Sequence, residues 1–217
     1  MKPRYTLICA ALVIAVLALA CVYYPQLPAR IPIHWSASGA VNGYGPPMAI
    51  FIGPAMMAAL TLLGVAMPWL SPRAFTVDTF RATYGFIMVA VVAMVGYINV
   101  VTLWAAVAGS VDVARAMMGG IAVFMLLIGN VMGKVRRNFW IGIRTPWTLA
   151  SEKVWYGTHR LAARLIVVSS LLCLGCVVAG LSQAVSMTVL MTGLLIPVVY
   201  SLLYYKRLER SGELENQ

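Results

Sequence analysis

Six long apolar runs constrain the fold of this chain more than any other feature. Each run has about the twenty residues that a helix needs to cross the hydrocarbon core of a bilayer. Only 10% of the residues are charged, against about 25% in a globular domain. The sequence therefore predicts an all-α integral membrane protein with six transmembrane helices. The runs cover residues 5–24, 48–70, 84–108, 113–132, 161–182 and 185–205.

The placement of Lys and Arg predicts the orientation of these helices, because basic residues gather in loops that are not translocated. With the N-terminus in the cytoplasm, fourteen of the sixteen basic residues lie inside, and only Arg30 and Arg115 lie outside. We therefore expect a multi-pass protein of the cell membrane with both termini cytoplasmic. Lys2 and Arg4 before the first run predict an uncleaved signal anchor. Since the basic residues follow the helix ends, the net charge of +10 does not indicate a nucleic-acid partner.

The loops divide the chain into four segments. Residues 1–70 are expected to form an N-terminal helical pair with an extracytoplasmic loop at 25–47, and residues 71–133 a central helical pair. Residues 134–160 should form a cytoplasmic loop that contains an amphipathic helix. Residues 161–217 supply a C-terminal helical pair and a tail. No internal repeat is visible, which weakens an inverted-repeat transporter interpretation.

The extracytoplasmic loop carries the first group of candidate site residues. Pro25, Pro28 and Pro32 keep its backbone extended, and glycines such as Gly39 and Gly43 supply turn positions. The loop should form a short structured hairpin or cap. Aromatic side chains and a histidine on such a loop suit ligand contact, and the predicted contact residues are His34, Trp35, Gly39, Gly43 and Tyr44.

The cytoplasmic loop carries the second group. Thr145 before Pro146 predicts a helix N-cap followed by the first helical residue, with Thr148 or Ser151 as alternative caps for a later start. Helical spacing would place Trp155 and His159 one turn apart, and Gly157 could break the helix. We expect Trp147 and Trp155 at the membrane interface. The candidate residues are Asn138, Gly142, Arg144, Thr145, Pro146, Trp147, Glu152, Trp155, His159 and Arg160.

The sequence offers little for metal, cofactor or covalent chemistry. The predicted topology places the two histidines on opposite sides of the membrane, and neither has enough acids or cysteines nearby to hold a metal. The four cysteines lie in apolar runs. We predict no metal, no cofactor and no catalytic residue. An alternative remains that Asn138, Arg144, Glu152, His159 and Arg160 form a hydrolytic or phosphate-binding cluster; in the simpler interpretation, Glu152 pairs with a nearby cation and His159 anchors at the headgroup boundary.

The run NFWIGIRTPWTLASEKVW at 138–155, followed by Thr158-His159-Arg160, resembles the signature of the SdpI family of polytopic bacterial membrane proteins. The Pro-x-His-aromatic segment at 32–35 and Gly-Tyr-Gly at 43–45 resemble the small domain that commonly precedes that signature. Members of the family often have Asn two residues after the His and Asp before the Gly-Tyr, where this chain has Ser36 and Asn42. A charge-dependent role of that acid is therefore not expected here.

Three functions compete on these observations. The resemblance implies an immunity protein that protects the cell from a secreted, sporulation-delaying peptide toxin and recruits a cytoplasmic repressor, with membrane lipids as its other partners. The second function is a membrane enzyme that acts on lipid or phosphate groups from the cytoplasmic side. The third is a transporter, which is weakened because coupled transport usually needs a charged residue within the spans and none is centrally placed.

Overall fold

The protein is described by a computed structural model that covers residues 1–36, 38–72, 75–109 and 111–214. Arg73, which was counted among the cytoplasmic basic residues, lies outside this description. Within it, six helices are long and apolar enough to cross a membrane, which confirms the six predicted spans. They are α1 (Pro3–Tyr23), α2 (Ile52–Leu70), α3 (Arg81–Ala108), α4 (Val113–Met132), α6 (Glu152–Val178) and α7 (Gln183–Arg210), with a short α5 (Pro146–Ala150) between α4 and α6.

The loop between α1 and α2 departs from a purely α-helical fold. It contains two antiparallel strands, β1 (Ile31–Trp35) and β2 (Val41–Gly45), which pair as a hairpin. One-turn 3₁₀ helices at Tyr24–Gln26 and Pro47–Phe51 join this hairpin to the membrane helices. The prolines of the loop exclude a long helix here, and the strands satisfy the backbone hydrogen bonds that a helix would otherwise have made.

The largest difference from the predicted boundaries concerns the fifth span. Helix α6 begins at Glu152 rather than at residue 161, so Glu152, Trp155, His159 and Arg160 belong to the membrane-spanning helix and not to a preceding loop. The helix does not break at Gly157. A Cβ atom at that position would meet the ring of Tyr204 in α7, so the glycine permits close approach of the two helices.

The six long helices pack in two groups of three. Helices α1, α2 and α3 contact one another, α6 contacts α4 and α7 extensively, and α3 meets α4 where the groups adjoin. We call this line of contact the seam. Tyr97 of α3 crosses it and donates a hydrogen bond to the carbonyl of Ala116 in α4 at 2.7 Å. The largest buried cluster also spans the seam, with Tyr84 and Ile87 on one side and Val131 and Ile166 on the other.

Polar groups inside the helices are used to join elements. The side-chain amide of Asn99, buried in α3, donates to the carbonyl of Ile50 at 2.7 Å, which is the interhelical role expected of a polar residue in a span. The hydroxyl of Tyr84 donates to the carbonyl of Gly64 at 2.6 Å. Asn130 differs, because its side chain is exposed and makes no interhelical hydrogen bond within the described part of the chain.

Candidate functional site

The two groups of candidate residues lie at opposite ends of the helix bundle. Residues 134–160, the signature segment, pack beside the N-terminus, where Met1 joins the same apolar cluster as Trp155. The hairpin lies at the other end, where Gly39 approaches Ala114 at the start of α4. We call these the signature end and the hairpin end. The structure does not bring His34 and His159 together.

Asn138 organises the turns that follow α4. Its amide nitrogen donates to the carbonyls of Arg136 at 2.8 Å and Ile141 at 2.9 Å. Its side-chain oxygen accepts from the backbone N–H groups of Trp140 at 2.7 Å and Ile141 at 2.8 Å. The side chain is fully buried, and these four bonds exhaust the usual capacity of an amide. Asn138 therefore replaces the hydrogen bonds that this non-helical stretch of backbone cannot make with itself.

His159 binds the backbone of the same segment through both of its ring nitrogens. The backbone N–H of Ile143 donates to Nε2 of His159 at 3.0 Å, and Nδ1 lies 2.8 Å from the carbonyl of Trp155. Since Nε2 accepts a hydrogen bond and a carbonyl cannot donate one, the ring is the neutral tautomer with its proton on Nδ1. Gly142 has φ +116°, and a Cβ atom there would collide with Nε2. Glycine is thus required for the backbone to reach the imidazole.

Trp155 is buried in protein rather than placed at the membrane interface. Its exposed fraction is zero, its indole N–H donates to the carbonyl of Val135 at 2.9 Å, and its ring stacks on His159 with centroids 4.1 Å apart. The prediction of one helical turn between Trp155 and His159 is confirmed. The expected interfacial positions of both side chains were wrong, because the folded signature segment covers them.

Two successive caps build the short helix and the start of the fifth span. The hydroxyl of Thr145 accepts a hydrogen bond from the backbone N–H of Thr148, and the hydroxyl of Thr148 accepts one from the backbone N–H of Thr145. Pro146 occupies the first turn of this short helix. Ser151 then caps α6 by accepting from the N–H of Val154. The predicted Thr145–Pro146 start and the alternative Ser151 start are therefore both present. The chain turns between them at Ser151.

Trp147 connects the short helix to the last span. Its indole N–H donates to the hydroxyl of Ser201 in α7 at 2.6 Å. Ser201 is fully buried, whereas Trp147 is half-buried. Part of the Trp147 ring thus stays exposed, while its polar atom is bound within the protein, and its place at the membrane interface stays a prediction.

Arg137 is the cation that sequence reasoning missed. It donates to the carbonyl of Leu149 at 3.1 Å and lies 3.7 Å from the carboxylate of Glu152. No spacing rule links residue 137 to α5 or to the start of α6, so a single sequence carries no signal for these contacts. Arg144 also donates to a backbone carbonyl, that of Phe139. Glu152 is half-exposed, so its pair contributes at most about 1 kcal/mol.

The outer rim of the signature segment carries exposed charges. Arg136 lies over the ring of Tyr156 and bonds its hydroxyl at 3.2 Å, which raises the pKa of the guanidinium. Arg160 donates to the carbonyl of Tyr156. Lys153 pairs with Glu213 in the C-terminal tail at 2.6 Å, and this hydrogen bond lowers the pKa of the Glu213 carboxyl. The rim therefore stays charged at neutral pH.

The hairpin displays part of the first group of candidate residues. His34 and Tyr44 are exposed, and the Nδ1–H of His34 donates to the side-chain oxygen of Asn42 across the strands at 2.5 Å. Gly43 faces His34, and a Cβ atom at residue 43 would meet the Cβ of the histidine. Gly39 has φ +82° in the turn. Asn42, which stands where relatives often have Asp, thus orients the imidazole without adding a charge.

Comparison with known proteins agrees with this arrangement. Residues 134–205 match the SdpI/YfhL protein family, and residues 11–58 match a domain of unknown function, DUF1648. The chain is 27% identical over 197 residues to the protein named Immunity protein SdpI of Bacillus subtilis (strain 168), covering 88% of this chain and 90% of that protein.

The resemblance of the signature segment to the SdpI family is confirmed. No solved structure is significantly similar to this chain. The matched ranges include both the hairpin and the signature segment. With six helices of spanning length and this similarity, the chain is a multi-pass membrane protein.

The signature segment uses its buried polar side chains as hydrogen-bond partners of its own backbone. Asn138 and His159 are buried and their polar atoms are occupied, while Arg144, Glu152 and Arg160 point outward at the rim. The five residues of the alternative hydrolytic cluster therefore do not converge on one reacting position, as catalysis requires. Within the described part of the chain, no group of three His, Cys, Asp or Glu side chains could hold a metal ion.

Replacing Asn138 tests this structural role. Asn138→Ala leaves two backbone carbonyls and two backbone N–H groups of a partly buried segment without their hydrogen-bond partners, and each lost bond costs about 1 kcal/mol. We expect faster amide hydrogen exchange across residues 136–145 and a loss of about 3 kcal/mol or more in stability. Asn130→Ala, at an exposed position eight residues earlier, is the matched control and should change neither. Equal exchange in the two variants would show that Asn138 does not hold the segment.

Proposed function

We propose that this chain protects the producing cell from a secreted, membrane-active peptide toxin. The observation that carries the proposal is the similarity to Immunity protein SdpI along 88% of the chain. The matched part includes the hydrogen-bonded signature segment. The occupied state of His159 and Asn138 supports a binding or signalling protein over an enzyme. Recruitment of a cytoplasmic repressor to the exposed basic rim of the signature end is the second part of the proposal.

The proposal places the hairpin outside the cell and the signature segment inside. The distribution of charged side chains between the two ends supports this orientation. Within the part of the chain that the structure describes, the hairpin end carries three charged side chains, Arg30, Asp112 and Arg115, whereas the other described basic residues belong to the signature end. Basic loops are retained in the cytoplasm. In this orientation, a toxin that arrives from outside meets the hairpin first.

A cleft beside the hairpin tip extends the proposed toxin-contact surface. It has a volume of about 610 Å³ and lies between the tip, α4 and the connection of α6 to α7, with Ser38, Asp112, Arg115 and Gln183 among its lining residues. Two of the three charges of the hairpin end thus face one cleft. Since clefts of roughly 300–1,000 Å³ suit specific ligands, we include it with His34, Trp35 and Tyr44 in the proposed surface.

Orientation is tested by labelling with a membrane-impermeant thiol reagent. In a background that lacks the four native cysteines, Ser38→Cys at the hairpin tip should react in intact cells. Arg210→Cys at the end of α7 should react only after the membrane is permeabilised. Both positions are exposed, so a difference reports the side of the membrane. The reverse pattern would contradict the orientation and the assignment of the toxin-contact surface.

Protection is tested in a sensitive host challenged with the purified sporulation-delaying toxin. The wild-type chain should permit growth. His34→Ala, Trp35→Ala and Tyr44→Ala together should lower protection by about tenfold or more in toxin concentration, since aromatic contacts dominate many interfaces. Trp104→Ala removes an equally large, exposed aromatic from the α3 surface and should protect normally. If the host that expresses the wild-type chain at normal abundance in the membrane were still inhibited by the toxin, the proposed function would be overturned. Full protection by the triple variant would overturn only the role of the hairpin.

A further inference from the structure

The signature end contains a basic cleft that includes Arg136 and Tyr156 of the rim and has no part in the proposed toxin contact. Its volume is about 570 Å³. It opens between the beginning of α1, the beginning of α3, the end of α4 and the first turns of α6. We call it the basic cleft, and its charged lining residues are Lys2, Asp78, Arg81, Lys134 and Arg136.

The cations of this cleft exceed its acids. Asp78 is paired with Arg81 at 2.7 Å, and Arg136 bonds the neutral hydroxyl of Tyr156. Neither Lys2 nor Lys134 forms an ion pair with any acid in the described part of the chain. Four positive groups therefore face a cavity that supplies one carboxylate, and that carboxylate is already bound.

The amino group of Met1 lies near the cleft. Its pKa is lowered, chiefly by burial and then by the charge of Arg81, while the charge of Asp78 opposes this shift. The positive charge of Arg81 is therefore felt at the N-terminus although Arg81 is paired with Asp78.

The position of the cleft indicates what kind of anion enters it. It lies at the ends of four membrane helices, at the level where the apolar helix surfaces stop and basic side chains begin. Basic pockets between transmembrane helices on the cytoplasmic side are sites for anionic lipid headgroups. The hydroxyl groups of Thr79, Thr83 and Tyr156 add hydrogen-bond donors for phosphate oxygens.

We propose that the basic cleft binds the phosphate headgroup of an anionic phospholipid, which joins the two groups of helices at the seam. Lys2 and Arg81 belong to the first group of helices, whereas Lys134 and Arg136 follow α4 in the second. A phosphate held by Lys2 from one side and Lys134 from the other links the two groups without any new protein contact. The bound lipid therefore stabilises the packing of α3 on α4.

The test measures thermal unfolding of the full-length protein in nanodiscs of phosphatidylcholine, with and without phosphatidylglycerol. The wild-type protein should unfold at a higher temperature with phosphatidylglycerol. Lys2→Gln and Lys134→Gln should each lose part of this gain, and the double variant should lose nearly all of it. The apparent affinity of the double variant for phosphatidylglycerol should fall by about tenfold or more.

The matched control removes the same charge outside the cleft. Arg164 and Arg210 are exposed basic residues of the signature end that do not line it, so Arg164→Gln with Arg210→Gln should keep the full gain. An equal gain in the control and the Lys2/Lys134 variant would show that lipid acts on the general surface charge and would overturn the proposal. So would an equal gain from inorganic phosphate without anionic lipid, which would indicate a free-anion site, or the absence of any gain in the wild-type protein.

Discussion

The structure depends on satisfying the backbone of one non-helical segment at the edge of an apolar helix bundle. Irregular backbone beside a membrane is tolerated only where the protein supplies its hydrogen-bond partners. Asn138 supplies four of them and His159 supplies an acceptor for Ile143. Both side chains are buried, and all of their polar atoms are hydrogen-bonded. The two signature residues that most resemble catalytic groups therefore stabilise the fold.

The signature segment in turn holds the two groups of helices together at one end. Trp140 reaches Ser71 at the end of α2 with a hydrogen bond of 2.6 Å, while Trp147 reaches Ser201 in α7. Each tryptophan thus connects the segment to a different group of three helices. At the other end, Gly39 of the hairpin touches α4 across the same seam. The proposed toxin-contact surface and the signature segment therefore both contact helices at the seam, from its two ends.

Apolar run length and capping residues predicted those elements that depend only on residues close together in the sequence. The six spans follow from apolar length, and the Thr145–Pro146 start follows from capping chemistry. The early start of α6 at Glu152 was missed because the fifth span was bounded by its apolar run, whereas the first turns of α6 are polar and contain Gly157. The prolines and glycines of the loop at 25–47 predicted a hairpin, which the structure has in place of an all-α fold.

Features that depend on contacts between distant segments were not predictable in the same way. The burial of Trp155 and His159 arises because residues 135 and 143 return to cover them, and composition alone favoured the membrane interface. The contacts of Arg137 with Leu149 and Glu152 join segments that no helical or strand period relates. The functional assignment of the hairpin residues rests on the resemblance to the family and on the exposure of His34 and Tyr44.

The central claim is that His159 is a neutral structural ligand of the backbone, and the protonation of its ring tests it most directly. In a His34→Gln background, which leaves His159 as the single histidine, ¹⁵N-labelled imidazole can be observed by NMR in the folded protein. The account predicts a protonated Nδ1 and an unprotonated, hydrogen-bonded Nε2 at neutral pH. A ring protonated on Nε2, or on both nitrogens, would contradict the hydrogen bond from Ile143 and the arrangement built on it.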